Sequence, residues 1–194
     1  MDVLRYFFKR IIKEDITVNH TLPRLNMIPS VTNERLLIMN TTFKELIDLL
    51  RKKRLHIATA ESLTGGLAAS MFVDVPGASK AFKEAFVTYC DEAKIHTLNV
   101  SSETIKEHGA ISEETAREMA IGAALLSGAD IAISFTGNAG PDPDEGKPVG
   151  LVYIGLYICG DVQTFECHFE GDRSSIRFES ALTGASLCLK ALSS

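Results

Sequence analysis

Three short segments carry side chains that together can cleave an unreactive bond without a metal. The first is Thr59-Ala60-Glu61-Ser62-Leu63-Thr64-Gly65-Gly66, where a serine follows a short apolar run and precedes a glycine pair. If the run is a strand and the glycines open a helix, Ser62 sits beside the orphan N–H groups of a helix N-terminus, a place that stabilises negative charge. No Gly-Lys-Ser/Thr follows, so this is not a phosphate-cradling Walker loop. Alone, Ser62 is more often a simple N-cap.

The second segment is Thr88-Tyr89-Cys90-Asp91-Glu92-Ala93-Lys94. Tyr89 closes a strand expected from Glu84, and Lys94 falls about one turn into the next helix, so both can face one cleft. Singly they read as a tyrosine on a sheet face and a solvated lysine. With Ser62 they form a nucleophile system that needs no histidine. A neutral lysine accepts the serine proton once burial or neighbours depress its pKa. None of the five histidines has a spacing that demands a Ser-His-Asp triad.

The third is Ser134-Phe135-Thr136-Gly137-Asn138-Ala139-Gly140-Pro141, running into Lys147-Pro148-Val149-Gly150. Small hydroxyl residues and glycines after a buried strand admit a ligand close to the backbone, and long loops in compact domains tend to be functional. Gly171-Asp172-Arg173 opens the last helix, with Arg173 available either to a phosphate or as an ordinary surface residue beside a cap.

Strands alternating with helices must carry these loops. Thr42, with Glu45 three residues on, predicts a capping-box helix through Leu50. Leu55–Ala60 reads as a strand, Gly65–Val73 as a small-residue helix and Glu84–Tyr89 as a strand. Ser112 with acidic residues behind it starts a helix to about Leu126. Ala129–Phe135 is a buried strand, and Val149–Ile158 and Val162–Phe169 form a hairpin about Cys159-Gly160-Asp161. Asp172–Leu192 is the closing helix. The pattern predicts an α/β fold: a three-layer α/β/α sandwich on a mixed, mostly parallel sheet of about five strands.

Residues 1–38 differ from the rest. Val3, Leu4, Phe7, Phe8, Ile11 and Ile12 recur at helical spacing among basic residues, and a Pro- and Asn-containing stretch follows. This amphipathic extension reads as a membrane- or partner-binding arm, as a helix packed on the main domain, or as an upstream extension outside the native product. Residues 39–194 are expected to form the catalytic domain.

The 194 residues suffice for one domain, and with 45% hydrophobic and 23% charged residues the chain is not disordered. Net charge is −5, with no tryptophan, which argues against a strong grip on nucleic acid. Cys90, Cys159, Cys167 and Cys188 form no CxxC pair and lie at no zinc-ligand spacing, so reduced thiols and a cytoplasmic location are expected. Basic residues interrupt every apolar stretch near the start, and no run reaches membrane-spanning length.

In this order, TAESLTGG (59–66), DVPGAS (74–79), VTYCDEAK (87–94), HGAIS (108–112), TGNAGP (136–141), KPVG (147–150) and GDR (171–173) resemble the CinA C-terminal domain family over residues 40–192. Stand-alone members of that family are nicotinamide-nucleotide amidohydrolases. The resemblance implies hydrolysis of the carboxamide of nicotinamide mononucleotide to nicotinic acid mononucleotide and ammonia. The family's catalytic serine, tyrosine and lysine fall on Ser62, Tyr89 and Lys94. Backbone N–H groups at Thr64, Gly65 and Gly66 are then expected around the oxyanion, and Thr136, Gly137 and Arg173 around the phosphate.

No metal or organic cofactor is implied. The expected partner is a small nucleotide, with neither nucleic acid nor membrane for the main domain, and self-association is expected because family members commonly show it. Two other functions stay open: a non-catalytic interaction protein of competence or DNA-damage responses, and an amidohydrolase of a different nucleotide. Three departures bear on the last. Cys90 and Asp91 replace Ser and Asn, Asn138 replaces an apolar residue, and Asp142-Pro143-Asp144-Glu145-Gly146 replaces a glycine-rich loop.

Overall fold

A computed structural model describes residues 33–193. The amphipathic segment near the start and its linker lie outside the described residues. The elements are α1 (Asn33–Lys53), β1 (Ile57–Glu61), α2 (Leu67–Val73), β2 (Phe82–Val87), α3 (Asp91–Leu98), α4 (Ser102–His108), α5 (Glu113–Ser127), β3 (Ile131–Gly137), β4 (Leu151–Ile158), β5 (Asp161–His168) and α6 (Arg173–Ser193).

The sheet has the order β2-β1-β3-β4-β5. Strand β1 pairs in parallel with β2 and β3, while β3–β4 and β4–β5 are antiparallel. The mixed five-strand sheet is as expected. "Mostly parallel" holds for strand direction, because β4 alone runs against the others, but the pairings divide evenly. The turn between β4 and β5 has positive φ at both Cys159 and Gly160, the backbone of a two-residue type I′ hairpin.

Residue alternation along β3 explains the layers. Ile131, Ile133 and Phe135 point into a core shared with Phe43, Leu46, Ile47 and Leu50 of α1, Phe72 of α2 and Phe178 and Ala185 of α6. Ala132 faces the other way, onto Met119, Ala123 and Ala124 of α5 and Leu98 of α3. That second interface is thin because small residues let α5 approach the sheet. Ser134 Oγ donates to the Ala116 carbonyl of α5, and a Cβ on Gly155 would lie 2.4 Å from the same oxygen. Both faces of the sheet are therefore covered at β1 and β3, where every residue but Gly137 is buried.

Several boundaries differ from expectation. Helix α1 starts at Asn33 and runs unbroken past Met39, so Thr42 lies inside it and caps nothing. The apolar face continues upstream through Met39, and helix propagation across Thr42 extends that buried stripe. Strand β2 ends at Val87, which leaves Tyr89 in the connection to α3 rather than on the sheet. The expected glycine-led helix starts only at Leu67, since Gly65 and Gly66 both have left-handed φ. Ser112 caps α5 as expected, accepting from Thr115 N–H.

Candidate active site

Strands β1, β2 and β3 are parallel neighbours, and the connections leaving their carboxyl ends meet above the sheet, where open α/β folds bind ligands. They deliver Ser62 from β1, Tyr89 from β2 and Asn138 from β3 to one polar cleft of about 150 Å³. Lys94, Thr136, Gly137 and Arg173 also line it, with Ala110 and Ile111 before α5 and Asp144 and Glu145 from the 138–149 loop. A larger open depression lies among Asp48, Arg51, Lys52, Arg54, His56 and Lys80 at the opposite end of β1. Its rim holds no serine, cysteine or buried acid–base group, so the smaller cleft is the better candidate.

Lys94 is the unusual residue. It sits in the first turns of α3, and only 1% of it is exposed. Its Nζ donates weakly to the Tyr89 carbonyl at 3.4 Å and lies 3.7 Å from the Asp91 carboxylate. Burial pushes its pKa below the ordinary 10.5, while Asp91, Cys90 and Glu145 pull it back up. The outcome is an amine that loses its proton more readily than a surface lysine.

Tyr89, by contrast, is 63% exposed at the cleft mouth. Arg173 donates from Nη2 to the phenol oxygen at 3.1 Å and from Nη1 to the Gly140 carbonyl at 2.7 Å. The guanidinium thus ties the β2–α3 connection to the loop after β3. Among the described residues no hydrogen bond runs from side chain to side chain between Ser62, Tyr89 and Lys94; the one link is from Lys94 Nζ to the Tyr89 carbonyl.

The Ser62 turn is held from both sides by residues the sequence reading did not single out. Glu61 is buried at the end of β1, and its carboxylate accepts from Gly66, Ala68 and Ala69 N–H and from the Thr59 hydroxyl at 2.8–3.2 Å. Arg177 donates to the Leu63 carbonyl at 2.9 Å and the Thr64 carbonyl at 2.6 Å. Two signals were available. A carboxylate inside an apolar strand needs donors, and Arg177 lies four residues after Arg173, on the same face of α6.

These bonds correct part of the expected binding set. Gly65 N–H donates to the Ser62 carbonyl and Gly66 N–H to Glu61, so neither is left for an oxyanion. Thr64, Gly65 and Gly66 do not line the cleft, and the Thr64 hydroxyl is buried without a partner. The Thr136 hydroxyl is committed to the Ala110 carbonyl at 2.5 Å, so its proton is spent on joining β3 to the start of α5 rather than on a ligand. Asn138 has a structural role as well. Its amide donates to the Asp142 and Lys147 carbonyls and accepts from Gly140 N–H, closing the base of the 138–149 loop. This explains a polar residue where the family pattern has an apolar one.

Among the described residues no group of three or more His, Cys, Asp or Glu side chains is placed to hold a metal. The described cysteines are unpaired, and no described helix is long and apolar enough to cross a membrane.

Comparison with known proteins agrees with this architecture. Residues 39–192 match the model of the CinA C-terminal domain. A CinA-like protein of Kosmotoga olearia is 48% identical over 150 residues, covering 76% of this chain and 36% of its own length. A CinA-like protein of Dictyoglomus turgidum is 45% identical over 154 residues, or 78% and 38% of the two chains. The chain therefore spans about a third of the length of the curated relatives it matches. Among solved structures, a CinA superfamily protein of Klebsiella pneumoniae aligns with a TM-score of 0.78 at 31% identity, covering 80% of this chain and 98% of that one. The competence/damage inducible protein CihA of Agrobacterium tumefaciens aligns with a TM-score of 0.77 at 35% identity, covering 81% and 96%. The matched residues take in all five strands and every loop of the cleft, and the chain belongs to the CinA C-terminal domain family.

Proposed function

We propose that the protein is an amidohydrolase that removes the carboxamide nitrogen of nicotinamide mononucleotide, using Ser62, Lys94 and Tyr89 without a metal. One observation carries the reading: a buried lysine of lowered pKa lines the same cleft as an unpaired serine hydroxyl at the carboxyl end of a central strand. A binding module gains nothing from burying an ammonium, whereas a general base requires an amine that is neutral near working pH.

In the first step Ser62 Oγ attacks the carboxamide carbon and its proton passes to Lys94 Nζ. The tetrahedral intermediate collapses with cleavage of the C–N bond, and Tyr89 relays a proton to the departing nitrogen so that ammonia leaves. Water, deprotonated by Lys94, hydrolyses the Ser62 ester, giving the free carboxylate and regenerating the hydroxyl. The positive pyridinium ring withdraws electrons from the carbonyl carbon and assists the attack.

The oxyanion donors need reassignment, because Gly65 and Gly66 are engaged. Across a trans peptide the C=O and the following N–H point in opposite directions. The Ser62 carbonyl turns towards Gly65, so Leu63 N–H points the other way, on the peptide directly after the nucleophile. That is the position from which nucleophile elbows draw an oxyanion donor, and one such donor is typically worth about 3 kcal/mol in the transition state. Arg177, gripping the Leu63 and Thr64 carbonyls, keeps this turn from rotating.

A different nucleotide as substrate is the second reading, and the acidic 142–146 loop favours it. Ammonia release from nicotinamide mononucleotide, nicotinamide, its riboside and the dinucleotide, by the native protein and by Ser62→Ala, tests both. Release from the mononucleotide that Ser62→Ala abolishes supports the first reading; release from another member alone moves the assignment to the second. Release from none would overturn both.

A further inference from the structure

Thr88 is 1% exposed, and its hydroxyl is buried without a hydrogen-bond partner. A hydroxyl desolvated in that way costs free energy, and in a native fold it calls for a role. Strand register gives its neighbours. Glu61 pairs with Val87 on one side and with Phe135 on the other. Thr88 N–H donates to the Glu61 carbonyl and Ser62 N–H to the Phe135 carbonyl, both at 2.9 Å, so the ladder runs one residue further. Thr88, Ser62 and Thr136 therefore form one row across the carboxyl ends of β2, β1 and β3, on strands spaced about 4.8 Å apart. Side chains two residues apart on a strand share a face. Phe86 and Ala60 belong to the core under α3 and α5, and Ser134 bonds to α5, so the row faces that layer.

Lys94 reaches the row from the same layer. It lies four residues before Leu98 on one face of α3, and Leu98 belongs to the core that holds Ala60 and Phe86. Its Nζ has the Tyr89 carbonyl at 3.4 Å and the Asp91 carboxylate at 3.7 Å. An ammonium carries three N–H donors, and the third has no acceptor among the described residues. We infer that Thr88 is a positioning residue whose hydroxyl oxygen accepts a hydrogen bond from Lys94 Nζ as the amine takes the Ser62 proton. A turn of the long lysine side chain closes the bond. The proton passes from Ser62 Oγ to Nζ, and Thr88 keeps its own. The bond aims the amine lone pair at Ser62 before transfer and steadies the ammonium after it. Thr88 does not line the cleft, so it acts on Lys94 and not on the substrate. The role rests on the Ser62–Lys94 part of the reading above, and on the nucleotide only as a test substrate.

Thr88→Val removes the hydroxyl at nearly constant shape, and Thr88→Ser keeps it. Both are compared with the native protein in kcat and KM for nicotinamide mononucleotide, in thermal unfolding, and in the rate at which a fluorophosphonate labels Ser62, read by mass spectrometry. Labelling forms an O–P bond as fluoride leaves, with the serine proton passing to Lys94, so it reports the Ser62–Lys94 pair whatever the natural substrate is. Thr88→Val should lower kcat about ten- to hundredfold, the worth of a hydrogen bond to a charged group, with KM little changed. Labelling should slow by a similar factor. The Tm should hold or rise, because a methyl group replaces a hydroxyl that had no partner. Thr88→Ser should restore both kcat and labelling. If Thr88→Val does not fold, Thr88→Ala against Thr88→Ser makes the same comparison, since both lack the methyl group and only one has the hydroxyl.

Native kcat and native labelling in Thr88→Val would overturn the inference, as would a rise in KM alone. Equal losses in Thr88→Val and Thr88→Ser, with a lowered Tm in both, would reduce Thr88 to a packing residue and overturn it too. If the native protein does not turn over the mononucleotide, the amidohydrolase reading of that substrate fails by itself. The labelling arm then decides the role of Thr88: labelling that is slow without the hydroxyl and restored by serine upholds it. Equal labelling in all variants, or none of native Ser62, refutes it.

Discussion

Replacing Lys94 by methionine should make the protein more stable and catalytically dead, and the gain should depend on pH. The ammonium is 1% exposed, and taking such an ion out of water costs several kcal/mol even after relaxation. Two groups close to Nζ offset most of this, with smaller help from Cys90 and Glu145. The Tyr89 carbonyl sits at 3.4 Å, long for a charged donor. The Asp91 carboxylate lies at 3.7 Å, and across that distance attraction is worth roughly 1 to 4.5 kcal/mol for an effective dielectric between about 80 and 20. With 47% of the Asp91 side chain exposed, the lower end applies. The charged lysine is left about 1–2 kcal/mol short, and an apolar side chain of similar length recovers that amount. For a domain of this size the Tm should rise by about 2–8 °C at pH 7.

The pH dependence follows from the direction of the Lys94 shift. Folded Lys94 gives up its proton below 10.5, the value of an unfolded lysine. Between the folded value and 10.5 the unfolded chain holds more protons than the native one, so native stability rises with pH in that window. Lys94→Met lacks this contribution, so its advantage should shrink as pH is raised from 7 towards 10. Thermal unfolding of the two proteins at matched pH values, differenced so that all other titrations cancel, reads it directly. A methionine variant that is destabilised at pH 7, or whose advantage is flat with pH, would mean that the ammonium is fully compensated. Lys94 would then not be a poised base.

Two further outcomes concern the scaffold. Glu61→Gln should lower the urea midpoint by an amount equivalent to about 2–3 kcal/mol, because one carboxylate oxygen that accepts two of the four donors becomes a donor itself. A loss under 1 kcal/mol would show that the α2 amides find other partners. Gly122→Ala should cost about 2 kcal/mol or more, since its Cβ would lie 2.0 Å from the Leu98 carbonyl and α5 would have to back away from α3. An unchanged Tm would contradict that close approach.

Much of the fold was legible because its signals are local. Ile131 to Phe135 is apolar but for Ser134 and carries no charge, as suits a strand buried on both faces, and Ser112 followed by two acidic residues announces a helix start. The boundary at Thr42 was misread for a physical reason. A capping box is one hydrogen-bond option among several, and here the helix gains more by continuing to bury Met39 than by stopping to satisfy two amides. Short α4 gave no warning, because its seven residues bury no side chain and so leave no periodicity.

The site divides along the same line. Ser62, Tyr89 and Lys94 could be proposed from residue type and loop position, since chemistry depends on which groups are present at strand ends. What decides how those groups behave could not. Whether Gly66 N–H is free for an oxyanion depends on Glu61, whose four donors are assembled only after β1 and α2 are in place. Whether Thr136 can serve a ligand depends on Ala110, 26 residues away in the chain. Backbone donors are interchangeable in sequence and distinct in space, so a motif can name a nucleophile while misassigning the amides around it. The same holds for Glu145: as one acid in a loop of acids it carries no signal, and its bonds to Ala110 and Ile111 N–H, more than 30 residues away in the chain, exist only once the loop has folded back beside Gly109.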